Sequence, residues 1–336
     1  MPAPAFQALA PYLHLTRLST AFGALANVWF VVLWVRGVAP ERTGLVARAG
    51  GTLTPPALEW PLWLVLAITG VIALALHGFS SVLNDTLDFR RDQALHPGRP
   101  LPSGRVHRDS AVVLIVVLLL LALAGASTLG RGSVSAAASA AGLILLFHAA
   151  AKHVPAVGFV VLGLAHAAAM LMPVPGVLMM WPLWLAAAHI GMTAAIAHRL
   201  ARRRPRLSRR GLLSTLLVAL VAGIVTALVV FDRTGQMWPD WVRWQAAASG
   251  GAAALAFALF ATWLAKRPVR RAERRGERID RAAALWAPVY AGAWCAGQEV
   301  WMAAIILGIL AIAALVAMTV MREAVGLIES PPGWRS

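Results

Sequence analysis

Apolar positions dominate the chain in long stretches, not in the short alternating or every-third-residue patterns of soluble elements. Nine of these approach the roughly 20 residues that a helix needs to cross a hydrocarbon layer. They lie at about 19–38, 61–84, 110–130, 134–151, 157–173, 180–199, 211–231, 243–265 and 299–321. Pro155, Pro173, Pro175 and Pro182 punctuate the short turns. The pattern predicts an all-α polytopic membrane protein with nine transmembrane helices, residues 1–336 forming one integral-membrane domain. The stretch 282–298, AAALWAPVYAGAWCAGQ, is too short and too interrupted to count, and reads as a surface helix or the beginning of the ninth span. No repeat, low-complexity tract or separate soluble domain stands out.

Composition sharpens this picture. The 336 residues are 60% hydrophobic and 13% charged, with mean hydropathy +0.72, which a soluble domain rarely matches. The stretch up to Leu15 lacks a basic region followed by a small-residue cleavage site, so no cleavable signal is expected. A single cysteine, Cys295, excludes an intrachain disulfide framework. In a chain this apolar, the net charge of +16 points to topology and an anionic substrate, not to nucleic acid.

The distribution of charge orients the bundle. The N-terminus and the loops after the second, fourth, sixth and eighth spans hold one, five, one, seven and eight Lys or Arg, 22 of the 30. The opposite side holds Arg36, Arg42, Arg48, Arg131, Arg233, Arg243, Arg322 and Arg335. The positive-inside rule then makes the first set cytoplasmic and puts the C-terminus outside. Trp60, Trp63, Trp181, Trp184, Trp238, Trp241 and Trp244 flank the opposite loops, as an interfacial belt would. Abundant Ala and Arg suggest a GC-rich bacterial gene, hence a bacterial plasma membrane.

The second span ends in SSVLNDTLDFRRD, residues 80–92, within a cytoplasmic loop 85–109. Continued as a helix, it brings Asn84, Asp88 and Asp92 to one face at i, i+4 and i+8, with Asp85 three before Asp88. Carboxylates this close raise each other's pKa unless a cation neutralises them. Hard oxygens on one helix face suit Mg²⁺, which keeps several waters and shares its other positions with substrate phosphates. Pro97, Gly98, Pro100, Pro102 and Gly104 then break the helix, and Arg99 and Arg105 in that loop can approach the same anion. A metal-bridged diphosphate explains the set together.

NDTLDFRRD followed by RPLPSGRV resembles the first aspartate motif of the UbiA superfamily of intramembrane prenyltransferases, over residues 84–105. Nine spans with this motif after the second match that family's layout. In FHAAAKHVP, Lys152 fits a lysine that contacts diphosphate in the family, and His148 takes the place of a tyrosine four residues earlier. The resemblance implies Mg²⁺-assisted departure of diphosphate from a polyprenyl donor, with the carbocation-like carbon alkylating an aromatic or other lipophilic acceptor. It implies metal ligation by Asn84, Asp85, Asp88 and Asp92, catalysis through Asp88 and Asp92, and diphosphate contacts from Arg99, Lys152 and His148; Arg199, nearest the membrane face, is a further candidate for the diphosphate by position alone.

The family's second aspartate motif, after the sixth span, is replaced here by AHRLARRRPRLSRRG, with seven arginines and no acid. Arginine clamping the diphosphate, acids arriving from ERRGERID (Glu273, Glu277, Asp280), or loss of ionisation chemistry are the alternatives. The basic loops 199–210 and 266–281 equally suit orientation and attraction to anionic lipid. KHVPAVGFVVLGLAHAAAMLMP with the missing motif is similar to an EboC-like subgroup. The lead expectation is an enzyme, a prenyltransferase. A terpene cyclase, or a non-catalytic isoprenoid-binding membrane component, is the other reading.

Histidines within the spans complete the candidates, since polar groups there are costly. His77, seven residues before Asn84, falls on nearly the same face roughly 10 Å deeper, as an acceptor-orienting group or proton acceptor. His166 and His189 lie deeper in their spans, and His198 ends the sixth. No histidine pair has the i, i+4 spacing of a helical zinc site.

Overall fold

The computed structural model describes residues 4–38, 56–177, 180–268 and 272–329. Among them are α1 (Pro4–Thr16), α2 (Phe22–Gly37), α3 (Pro56–Glu59), α4 (Leu62–Leu87), α5 (Phe89–Leu95), α6 (Arg108–Leu129) and α7 (Arg131–Ala149). There follow α8 (Pro155–Leu171), α9 (Trp181–Leu200), α10 (Arg209–Thr234), α11 (Trp244–Lys266), α12 (Ala272–Gly297) and α13 (Trp301–Glu329), and no strand occurs among the described residues. Single 3₁₀ turns at Leu18–Thr20 and Ala151–His153 link α1 to α2 and α7 to α8. Arg42, Arg48, Arg270, Arg271 and Arg335, and the side chains of Glu273 and Arg322, lie outside the described residues.

Each of the nine apolar stretches falls on a helix: α2, α4, α6 to α11, and α13. Among the described residues, six helices are long and apolar enough to cross a membrane: α4, α6, α7, α10, α11 and Trp301–Val320 of α13; α2 and α8 are shorter apolar helices. Their exposed faces carry Leu, Val and Ile, among them Leu120, Leu220, Leu259 and Ile312. Such faces need no burial when the surroundings are lipid. The innermost helix is α2, with Val28, Val31, Val32, Trp34 and Val35 almost fully buried.

The count of nine is not confirmed, because residues 282–297 are neither a surface helix nor the start of the last span. They are the second half of α12, a helix of 26 residues. Its beginning packs on the end of α9, where a Cβ at Gly276 would lie 2.7 Å from the Ala197 carbonyl oxygen. Its end lies beside the beginning of α11: Gln298 donates to the Trp241 carbonyl at 2.8 Å, and Glu299 pairs with Arg243. Between these ends Tyr290, Trp294 and Cys295 are buried. Helix α12 therefore runs the full length of the bundle, and Pro288 sits inside it.

This extra helix reverses the direction of the last one. Val300, at the start of α13, packs against Gly37 at the far end of α2, and α13 then runs back to the 3₁₀ turn Leu18–Thr20. The end of α13 thus reaches the end of the bundle that holds Asp85, Asp88 and Asp92, contrary to the expectation that the chain leaves on the opposite side. Arg322 travels with it.

Candidate functional site

The acidic stretch is held where two helices meet. Helix α4 ends at Leu87, and Asp88 adopts φ −87° and ψ 8°, off the helical values. The hydrogen-bond ladder still passes through it: Asp88 N–H donates to Asn84 at 2.9 Å, and Asp92 N–H to Asp88 at 2.8 Å. Helix α5 then lasts only to Leu95, before the Pro- and Gly-rich segment. Arg105 folds back into that segment, onto Ser103 Oγ at 3.1 Å and the Gly98 carbonyl.

Each aspartate meets a protein cation. Asp85 Oδ1 accepts from Arg17 at 2.6 Å and from Asn84 Nδ2 at 3.1 Å. Arg99 Nη1 lies 2.6 Å from Asp92 and 4.0 Å from Asp85, between the two. Asp88 pairs separately with Lys152, on the turn after α7, at 2.8 Å. Asp85 and Asp92 are buried, which such pairing makes tolerable. The grouping differs from an Asn84–Asp88–Asp92 face for a geometric reason. Steps of four drift about 40° each, whereas seven residues come within about 20° of two full turns, stacking Asp92 over Asp85.

Around this cluster, His148 Nε2 lies 2.9 Å from Ser80 Oγ, one helical turn before Asn84. His77 Nε2 lies 3.3 Å from both Thr20 Oγ1 and the Arg17 carbonyl. Arg17 therefore touches Asp85 with its side chain and His77 with its backbone. It does so from a left-handed conformation, φ 50°, which non-glycine residues rarely adopt. Arg17, Thr20 and Ser80 carry no signal of a site in the sequence. A lone arginine at a span's edge looks like an orientation signal, and only the fold brings it to Asp85.

The arginine-rich segment is organised apart from these acids. His198 Nε2 donates to the Pro205 carbonyl at 2.8 Å, and Arg203 pairs with Asp280 of α12 at 3.3 Å. Glu277 pairs with Arg281 on its own helix. Asp280 and Glu277 thus serve the basic surface and do not join the Asp85–Asp92 cluster. Arg199, exposed on the last turn of α9, has no ion pair with the cluster among the described residues. His166 bonds to the Leu162 carbonyl at 2.9 Å, and His189 packs edge-on against Phe257 with ring centroids 4.5 Å apart. A small apolar crevice of about 60 Å³ between α8, α9 and α10 is lined by residues that include Phe159, Trp184 and Met192 and none of these acids or histidines.

Among the described residues, no three carboxylate, imidazole or thiolate groups converge to hold a metal ion alone. The donor chemistry nevertheless fits a hard divalent ion. Mg²⁺ commonly takes one or two carboxylates and completes its shell with water and phosphate oxygens. Asp85 and Asp92 already share one cation, the guanidinium of Arg99, so the space between them accommodates positive charge. Arg17, Arg99 and Lys152 stand against the same acids.

A family model described as the UbiA prenyltransferase family matches residues 43–283. No curated protein matches the chain. Among solved structures, one of digeranylgeranylglyceryl phosphate synthase superposes with a TM-score of 0.56 at 15% identity, covering 87% of this chain and 98% of the other. A UbiA homolog from Archaeoglobus fulgidus bound to DMAPP and Mg²⁺ gives 0.56 at 14% identity, over 86% and 99% of the two chains. The same homolog bound to GPP and Mg²⁺ gives 0.55, with the same identity and coverage. At these identities the likeness is one of fold.

Proposed function

The chain belongs to the UbiA prenyltransferase family, and from that premise we propose that it transfers a prenyl group from a polyprenyl diphosphate to an aromatic or other lipophilic acceptor within the membrane, with Mg²⁺. The observation that carries this reading is the pair of buried carboxylates, Asp85 and Asp92, sharing Arg99 at the end of an apolar bundle. The homologs bound to GPP or DMAPP with Mg²⁺ support the donor and metal classes.

Asp85 and Asp92 would hold the ion, with Asn84 and Asp88 beside them. The metal supplies charge neutralisation at the departing diphosphate. Lys152 and Arg99 bind the diphosphate oxygens, and Arg17 orients Asp85; His148 is a further contact. Positive groups fixed before the reaction stabilise negative charge as the C–O bond breaks. The apolar helices hold the isoprenoid and exclude water from the electron-deficient carbon. His77, deeper on α4, orients the acceptor. The basic loops share the acidic end, so the positive-inside rule places that end and the end of α13 in the cytoplasm, in a bacterial plasma membrane.

A second reading, a non-catalytic isoprenoid-binding component, is favoured by one observation: all three aspartates are neutralised by side chains of the protein itself. The arginine run in place of a second acidic motif points the same way. Radiolabelled farnesyl diphosphate and a membrane lipid extract separate the two. A transferase moves label into lipid, and Asp92→Asn abolishes transfer while the protein remains folded. A binder retains the donor in wild type and variant alike and transfers nothing.

A further inference from the structure

Three aromatic rings form a ladder on the outside of the bundle where α11 meets α12. Trp286 of α12 donates its indole N–H to the Ala253 carbonyl of α11 at 2.9 Å. Phe260 lies against Trp286 with ring centroids 6.1 Å apart and planes 18° from parallel, and Trp263 against Phe260 at 5.7 Å and 25°. Phe260 and Trp263 are 39% and 49% exposed, so the ladder is open on its outer side. Just past the end of α11, the Arg267 guanidinium lies over the Trp263 ring, 4.1 Å from its centroid. Apolar rings capped by a cation suit the boundary between membrane and water.

Helix α12 brings a second cation to the same level. The two helices are antiparallel, in a register marked by Ser249 Oγ, which donates to the Ala293 carbonyl at 2.7 Å. Eighteen residues beyond Ser249 stands Arg267, and eighteen before Ala293 stands Arg275. Each therefore lies about 27 Å from that contact, at the end that carries the basic loops. Arg275 is also eleven residues before Trp286, three turns and about 20° away, hence on nearly the same face of α12. Its Nε is buried and has no hydrogen-bond partner. A buried donor without an acceptor is costly, and an oxygen from outside the chain would satisfy it.

The nearby acids are engaged elsewhere, Glu277 with Arg281 and Asp280 with Arg203. Among the described residues, no carboxylate pairs with Arg267, Arg274, Arg275 or Arg278. Orientation in a membrane needs only a surplus of charge at one end, not an arginine drawn inward beside a ladder of rings. An anionic phospholipid meets both features, with phosphate oxygens for the guanidinia and hydrocarbon for the rings. Arginine suits the place, because its plane stacks on an indole while its edge binds phosphate.

We propose that the α11–α12 corner binds an anionic phospholipid, with Arg267 and Arg275 holding the phosphate and an acyl chain lying along Trp263, Phe260 and Trp286. The site uses none of the residues around Asp85, Asp88 and Asp92 and does not depend on the prenyl-transfer reading.

The test titrates delipidated full-length protein in a nonionic detergent with phosphatidylglycerol or phosphatidylcholine carrying brominated acyl chains. Quenching of tryptophan fluorescence gives the affinity. Phosphatidylglycerol should bind about tenfold tighter or more, and Arg267→Gln/Arg275→Gln should bring it down to the level of phosphatidylcholine. Arg209→Gln/Arg210→Gln, which removes the same charge from the other basic loop, should leave the preference intact. Trp263→Phe should reduce the quenching specific to phosphatidylglycerol, and inorganic phosphate should not displace the lipid. Equal affinity for the two lipids overturns the site, and that comparison on the wild-type protein needs no variant to fold. An equal loss in both double variants would mean diffuse attraction, and displacement by inorganic phosphate would mean a site for free anions; either overturns it. So does quenching that Trp263→Phe leaves unchanged, since the chain would then lie elsewhere.

Discussion

Lys152 Nζ rests 2.8 Å from Asp88 Oδ1, joining the turn after α7 to the end of α4 across 64 positions of sequence. Both side chains are mostly shielded, at 16% and 21% exposure, so the pair is more than a surface contact. A charge-assisted bond of this kind contributes about 1.5–3 kcal/mol. Lys152→Met should lower thermal stability and weaken prenyl diphosphate binding by roughly tenfold or more. A double-mutant cycle with Asp88→Asn should show coupling between the two; additive effects would mean that they act independently.

Arg99 is the cation shared by Asp85 and Asp92, and its removal leaves the buried Asp92 without its cation while Asp85 keeps Arg17. Because Arg99 is itself 35% exposed, the expected loss is toward the low end for such pairs, about 1–2 kcal/mol. Arg99→Ala should therefore melt earlier without metal and gain more from added Mg²⁺ than the wild type gains. An equal gain in both proteins would argue that the ion binds elsewhere.

Gly276 brings α12 against α9 so closely that a Cβ added there would stand 2.7 Å from the Ala197 carbonyl oxygen. Gly276→Val should destabilise the bundle by about 1–3 kcal/mol, since backbone cannot yield as a side chain can. The check is the melting temperature, with Gly251→Ala, whose Cβ meets nothing within 4 Å, as the tolerated control.

Arg203 and Asp280 pair at 3.3 Å with both side chains over 40% exposed. Arg203→Ala should change stability by less than about 1 kcal/mol. If the arginine-rich segment helps to gather the anionic donor, the same variant should weaken geranyl diphosphate binding, most at low salt. Unchanged binding at every salt concentration would leave the segment to orientation alone.

Much of the architecture is readable from residue pattern, because a membrane helix needs only length and apolarity. Helices α4 and α6 show this, each an unbroken apolar run over most of its length. Helix α12 escapes that test: Arg274, Arg275, Arg278 and Arg281 crowd its first ten residues, and Pro288 interrupts the remainder. Its burial comes from packing on α9, α11 and α2, which no local signal encodes. The site divides in the same way. The acidic stretch is plain, and the i, i+7 stacking of Asp85 and Asp92 was available from helical geometry. The role of Arg17 depends on a left-handed turn and a contact 68 residues away.

The most direct test of prenyl-donor chemistry is diphosphate release by the purified wild-type protein in nanodiscs. Geranyl, farnesyl and longer prenyl diphosphates are supplied with a lipid extract, in Mg²⁺ or in EDTA. Metal-assisted ionisation predicts release in Mg²⁺, none in EDTA, and none from Asp88→Asn under either condition. Binding of the donors with no release in Mg²⁺ would contradict it and leave the protein as an isoprenoid-binding component.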